Sequence, residues 1–84
     1  LLNWELVEDA LGDANIKGRV RNKTDRKLDC EVVVKLYGTD DELLRNASYY
    51  IMDLSPGTTA RFEMIFVLDY DRVKRVFVKP REFK

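Results

Sequence analysis

The sequence predicts an all-β fold, a two-layer antiparallel β-sandwich of six to seven strands. Three observations carry this expectation. Stretches of alternating apolar and polar residues recur along the chain, the period-two signature of strands with one buried face. Short segments holding Gly, Pro, Asn and Asp separate them, as turns require. No segment sustains the 3.6-residue period of an amphipathic helix. With 84 residues the chain makes one domain, 1–84, and a domain of this size buries roughly 60% of its unfolded surface, so its core is thin.

Leu2 to Asp9 reads as the first strand, with Leu2, Trp4 and Leu6 on one face and Asn3, Glu5 and Val7 on the other. Trp4 shares its face with leucines, so it is expected to plug the core or an edge rather than to serve as a ligand platform. A turn at Gly12 leads to Asn15 to Asn22, the cleanest alternation in the chain. Ile16, Gly18, Val20 and Asn22 point one way; Lys17, Arg19 and Arg21 point the other. Gly18 either leaves room for a bulky side chain from the facing sheet or marks a bulge. Three cations in a row suit phosphates, but such a row ordinarily forms a solvated face or guards an edge. In the polar turn from Asn22 to Lys27, Asn and Asp side chains are expected to bond nearby backbone.

Leu28 to Tyr37 is the strand around which the chain is organised. Leu28, Cys30, Val32, Val34 and Leu36 fall on one face; Asp29, Glu31 and Lys35 fall on the other, with Val33 and Tyr37 as exceptions. Cys30 is the single cysteine, which excludes an intramolecular disulfide and a cysteine-based metal cluster. Its place on the apolar face predicts a small buried hydrophobe, not a reactive thiol. Gly38 to Glu42 closes a hairpin. Asp40, Asp41 and Glu42 are its most acidic residues, but adjacent acids lack the alternating oxygen ligands of a calcium loop.

Leu43 to Leu54 is the next strand. Ala47, Tyr49 and Ile51 share one face and Tyr50, Met52 and Leu54 the other. Either both faces are partly covered or a bulge changes the phase before Leu54. Asn46-Ala47-Ser48 fits the glycosylation acceptor pattern, a triplet frequent by chance. Ser55-Pro56-Gly57 is a strong turn signal. In Thr58 to Leu68, Ala60, Phe62, Met64 and Phe66 point inward, while Arg61 and Glu63 point out, followed by Ile65 and Val67. Asp69-Tyr70-Asp71 makes the last turn, where two carboxylates lack a third ligand nearby in sequence. Arg72 to Lys84 is the final strand, and Pro80 within it argues for an edge or the end of pairing. Strands at this spacing in a chain of this length suggest a sandwich of immunoglobulin type.

Functional signals are sparse. Net charge is zero, so overall charge points to no polyanionic partner. Histidine is absent, which removes the commonest general base, metal ligand and pH switch together. No nucleophile–base pair or Gly-rich phosphate loop is visible, so no catalytic, cofactor-binding or metal-binding residue is assigned and no cofactor is expected. No apolar run approaches the ~20 residues of a membrane span. The chain begins Leu-Leu-Asn-Trp and reads as a domain excised from a larger protein. The one charge run is the last stretch, six basic residues against Glu82 alone. Within it Arg72, Lys74, Arg75, Lys79 and Arg81 are candidate anion-binding residues, joined by Arg19 and Arg21 if the two strands adjoin.

Three short motifs carry a family resemblance. Gly18-Arg19-Val20-Arg21-Asn22 resembles a G-x-V-x-N strand end. Val34-Lys35-Leu36-Tyr37-Gly38 resembles the F-x-L-Y-D strand of the FxLYD domain. Leu54-Ser55-Pro56-Gly57, followed by Phe62, resembles that family's L-x-P-G turn and phenylalanine. The match spans about Ile16 to Val78. Val34 replaces the Phe but keeps an inward apolar group, and Gly38 replaces the Asp in a place that suits a tight turn. The resemblance implies an immunoglobulin-like β-sandwich from a bacterial or archaeal protein, often exported or membrane-anchored, hence an extracytoplasmic or cell-surface setting. It implies no chemistry. The function expected is a non-enzymatic structural or protein-interaction module, its partner another protein or a neighbouring domain of the same chain. An anion-binding surface for nucleic acid or anionic lipid on the basic C-terminal strand is the alternative.

Overall fold

The computed structural model describes residues 2–83. Lys84, counted in the basic run, lies outside the described residues. Six strands follow in order: β1 (Leu2–Glu8), β2 (Asp13–Arg21), β3 (Leu28–Tyr37), β4 (Leu43–Leu54), β5 (Thr59–Asp69) and β6 (Arg75–Phe83). β1-β2-β5 form one sheet and β4-β3-β6 the other, all pairs antiparallel. The fold is the all-β two-layer sandwich expected. Its β1-β2-β5 and β3-β6 adjacencies are those of strands A-B-E and C-F in immunoglobulin domains, with β4 beside the C equivalent.

The core follows from the alternation. Val32, Val34 and Leu36 of β3 are fully buried and share one apolar cluster with Ile16 and Val20 of β2 and Phe62, Met64, Phe66 and Leu68 of β5. Burying each such side chain stabilises by about 1.5–3 kcal/mol, so β3, paired on both sides, anchors its sheet. Cys30 is part of this core. Burial pushes its thiol up, which keeps it protonated and unreactive.

The irregular strand β4 resolves as a bulge. Ile51 and Leu54 both face the core, Asp53 has a φ of +54°, and the pairing with β3 slips between Cys30 and Leu28. Asp29 Oδ1 accepts the Asp53 N–H at 2.9 Å. Met52 therefore faces solvent and does not share a face with Leu54.

Two expectations need correction. The final strand does not begin at Arg72: Tyr70–Arg72 form a 3₁₀ turn, and pairing with β3 starts at Arg75. Asp69 caps this turn, its carboxylate accepting the Asp71 N–H at 3.0 Å. Nor does Gly18 receive a side chain from the facing sheet. Trp4, Gly18 and Phe62 form one unbroken rung across β1, β2 and β5, and the Phe62 ring, from the neighbouring strand of the same sheet, covers Gly18.

Candidate functional site

Two surfaces gather the chemistry-bearing side chains. The first is the face of β4-β3-β6 turned away from the core. Arg75, Lys79 and Arg81 lie along β6 opposite Tyr37, Val33 and Glu31 of β3. Arg72 and Lys74 do not join them. Arg72 sits in the 3₁₀ turn, and Lys74 lies in the connection, with its Nζ donating to Asp71 O at 2.9 Å. Arg19 and Arg21 belong to β2 in the other sheet, so the two basic strands do not adjoin.

The arginines of β6 are partnered. Arg75 donates to Asp41 at 3.0 Å and its guanidinium lies 4.1 Å over the Tyr37 ring. Arg81 meets Glu31 at 3.0 Å. Lys79 has no carboxylate within ion-pair distance among the described residues. Phe77 is exposed on this face beneath Lys35, whose Nζ is 5.7 Å from the ring centre. Two cations of the run visible in the sequence, Arg75 and Arg81, are thus paired with acids from elsewhere in the chain.

Glu31 is the buried member of this face, its side chain about 10% exposed. The Ser48 hydroxyl, then the Tyr50 hydroxyl and the Arg81 guanidinium, hold its carboxyl below the usual carboxylate range against the opposing effect of desolvation. A lowered folded-state pKa means the carboxylate stabilises the fold above the ordinary carboxylate range. That contribution is lost as pH falls through the folded value. Thermal unfolding between pH 7 and pH 3 is expected to show a steeper acid loss in the wild type than in Glu31→Gln. Identical pH profiles would refute this role.

The second surface is an open groove of about 800 Å³ over β1, β2 and β5, within the size range of small-molecule sites. Trp4, Gly18 and Phe62 form its middle rung, and Tyr49 joins from β4. Trp4 is 40% exposed on the edge strand β1, so of the two places expected for it, core or edge, it takes the edge. On one flanking rung Asn3, Arg19 and Arg61 lie side by side. On the other lie Glu5, Lys17 and Glu63. Glu63 is held by Asn15 Nδ2 at 2.6 Å and by Lys17 at 4.0 Å. Neither Arg19 nor Arg61 has a carboxylate within ion-pair distance among the described residues.

Sequence reasoning found Arg19 but passed over Arg61, since only the β2–β5 register brings them together. Among the described residues no three His, Cys, Asp or Glu side chains converge as a metal site, and no helix is long and apolar enough to cross a membrane. Comparisons with protein-family models, curated proteins and solved structures found no match to this chain.

Proposed function

We propose that this chain is a non-enzymatic interaction module of a larger protein. Its contact surface is the side of the sandwich formed by β4 and β5. One observation carries the reading: exposed apolar side chains concentrate on these two strands. Leu43, Tyr50 and Met52 of β4 and Ile65 and Val67 of β5 are all exposed, Val67 to 83%. β4 and β5 each lie at one edge of their sheet. They meet on one side of the sandwich, where Arg45 of β4 donates to Val67 O at 3.2 Å and the Tyr49 and Phe62 ring centres lie 5.9 Å apart. Exposed apolar groups beside unpaired backbone form the surface that protein partners use, by strand addition or by face-to-face packing.

The FxLYD resemblance supports the same reading, and it suggests an exported or membrane-anchored prokaryotic protein as the setting. Val34, Leu36 and Phe62, which carry part of it, are core residues here, and Gly57 turns the chain with a φ of +74°. Residues of this kind build a scaffold and leave the contacts to the surface.

Sedimentation of the domain, alone and mixed with the other segments of its parent chain, tests the proposal. Association is expected in at least one mixture. Ile65→Lys and Val67→Lys should each weaken it on the order of tenfold or more, from lost apolar burial, while melting temperature stays within a few degrees of the wild type. Failure of every mixture to associate, or association indifferent to both substitutions, would sink the proposal. The anion-binding alternative on β6 rests on Lys79, Lys35 and exposed Phe77, and it is weakened by the carboxylates already engaged with Arg75 and Arg81.

A further inference from the structure

We propose that the chain forms a homodimer by pairing β5 with β5 of a second copy, antiparallel about a two-fold axis at Phe62, so that Arg61 of each copy faces Glu63 of the other. The proposal rests on the interaction reading above and gives it a partner, a second copy of this chain. The backbone is the starting point. Asn22 N–H donates to Thr58 O at 3.0 Å, in step with the register that sets Arg21 opposite Thr59 and Val20 opposite Ala60. Hydrogen-bonded pairs alternate along an antiparallel ladder, so Ala60, Phe62 and Met64 bond to β2. The N–H and C=O groups of Thr59, Arg61, Glu63 and Ile65 point the other way, where β5 has no neighbouring strand.

This stretch has defined ends. Beyond Ile65 the pairing with β2 slips, and the Val67 carbonyl is taken by Arg45 of β4. Before Thr59 the Thr58 N–H turns back onto Ser55 O. Residues 59–65 are thus an open template centred on Phe62. Two other edges are guarded against such pairing. β6 carries Pro80, which has no N–H, and β4 has the bulge at Asp53.

Charge selects the register. Pairing about Phe62 uses the whole stretch, with Thr59 opposite Ile65 and Arg61 opposite Glu63 across the axis. Moving the axis by one residue sets Glu63 opposite Glu63 or Arg61 opposite Arg61, and like charges directly opposite destabilise a sheet. The dimer also supplies what the single chain lacks. Arg19 and Arg61 are direct register neighbours on the outer face, with no carboxylate within ion-pair distance among the described residues. Glu63 of the second copy provides one. Glu63 is exposed and already held in place by Asn15 at 2.6 Å and Lys17 at 4.0 Å. Asn15 is only 4% exposed, so this hold is built into the sheet before association.

Sedimentation equilibrium of the 84-residue chain is expected to show a concentration-dependent dimer. Arg61→Glu and Glu63→Arg should each weaken it on the order of tenfold or more, since each sets like charges opposite at both symmetric positions. An equimolar mixture of the two variants should associate about as tightly as the wild type, because the acid introduced at position 61 then faces the arginine introduced at position 63. Both residues are exposed, and far-UV circular dichroism checks that the variants remain folded. Amide exchange at Arg61, Glu63 and Ile65 should slow as concentration rises, while Phe62 and Met64, already bonded to β2, change little. Three results would overturn the proposal: a wild type that stays monomeric at every concentration, a dimer indifferent to both charge reversals, or a mixture no tighter than its components. A chain that is monomeric alone yet binds another segment of its parent would sink the homodimer and leave the interaction reading standing. A dimer that obeys the charge swap but ignores Ile65→Lys and Val67→Lys would do the reverse.

Discussion

Gly18→Ala is expected to destabilise the domain by about 2–3 kcal/mol, lowering its melting temperature by roughly 10–20 °C for a domain of this size. The sign is the informative part. Alanine in place of glycine inside a strand ordinarily stabilises, by about 0.5–1 kcal/mol, because glycine loses more backbone freedom on folding. Here a Cβ would lie 2.4 Å from the backbone oxygen of Asn3 and 2.6 Å from the Phe62 ring. The ring can turn aside only by leaving a core position that is 4% exposed. The Asn3 oxygen can move only if β1 shifts away from β2, and β1 pairs with no other strand. Calorimetry or thermal circular dichroism measures the loss. A Gly18→Ala variant as stable as the wild type would mean the rung Trp4–Gly18–Phe62 is looser than its geometry implies.

A second variant separates the two clashes. If the ring contact dominates, Gly18→Ala/Phe62→Leu should recover part of the loss, because non-additivity between touching residues measures their interaction. If the backbone contact dominates, nothing is recovered, and amide exchange should quicken along β1 while β3 stays protected. Gly18→Val, which adds two further methyl groups to the same space, is expected to leave little folded protein.

What was legible in the sequence, and what was not, follows from the range of the forces involved. Period-two alternation is local, so β3 and β4 could be placed from Leu28 to Tyr37 and from Leu43 to Leu54. The bulge before Leu54 was visible as a phase error in that alternation. Register between distant strands is not local. Nothing near Arg19 in sequence says that Arg61 lies opposite it, nor that Asp41 and Glu31 neutralise Arg75 and Arg81. A run of like charges in sequence was therefore a poor guide to a charged surface, while two arginines far apart in the chain make an uncompensated pair. For a related reason the sequence did not decide between the two places open to Trp4, core or edge. It does share its face with Leu2 and Leu6, but the glycine opposite it and the edge position of β1 leave the indole half open. Arg72 and Lys74 read as strand residues because the chain around them is basic and apolar, yet the cap from Asp69 winds the preceding residues into a turn.

Asn22→Ala is expected to cost about 3 kcal/mol or more, as two or more hydrogen-bonding groups lose their partner at once. Asn22 is 1% exposed, and its amide uses every bonding position it has. Nδ2 donates to Arg26 O and to Leu54 O, each at 2.8 Å. Oδ1 accepts the Thr24 N–H at 2.9 Å and the Thr24 hydroxyl at 2.7 Å. The bonds to Thr24 and Arg26 shape the turn between β2 and β3, while the bond to Leu54 ties the end of β2 to β4 of the opposite sheet. Asn22→Asp discriminates between these roles. An aspartate carboxylate keeps both acceptor positions and so preserves the Thr24 bonds, but it loses both donors and sets a buried negative charge against two carbonyl oxygens. If the turn bonds carry the stability, Asn22→Asp should be milder than Asn22→Ala. The link between the sheets is expected to matter more, making Asn22→Asp at least as damaging at neutral pH. Burial and the facing carbonyls would raise the pKa of the N22D carboxyl above its unfolded value, so the protonated form would be the stabilising one. This variant alone should then gain stability relative to Asn22→Ala as pH falls, since a protonated carboxyl can donate once more to Leu54 O. Urea unfolding of both variants at pH 7 and near pH 4 reads the difference, and a gap between them that does not change with pH would rule out the donor role assigned to Asn22.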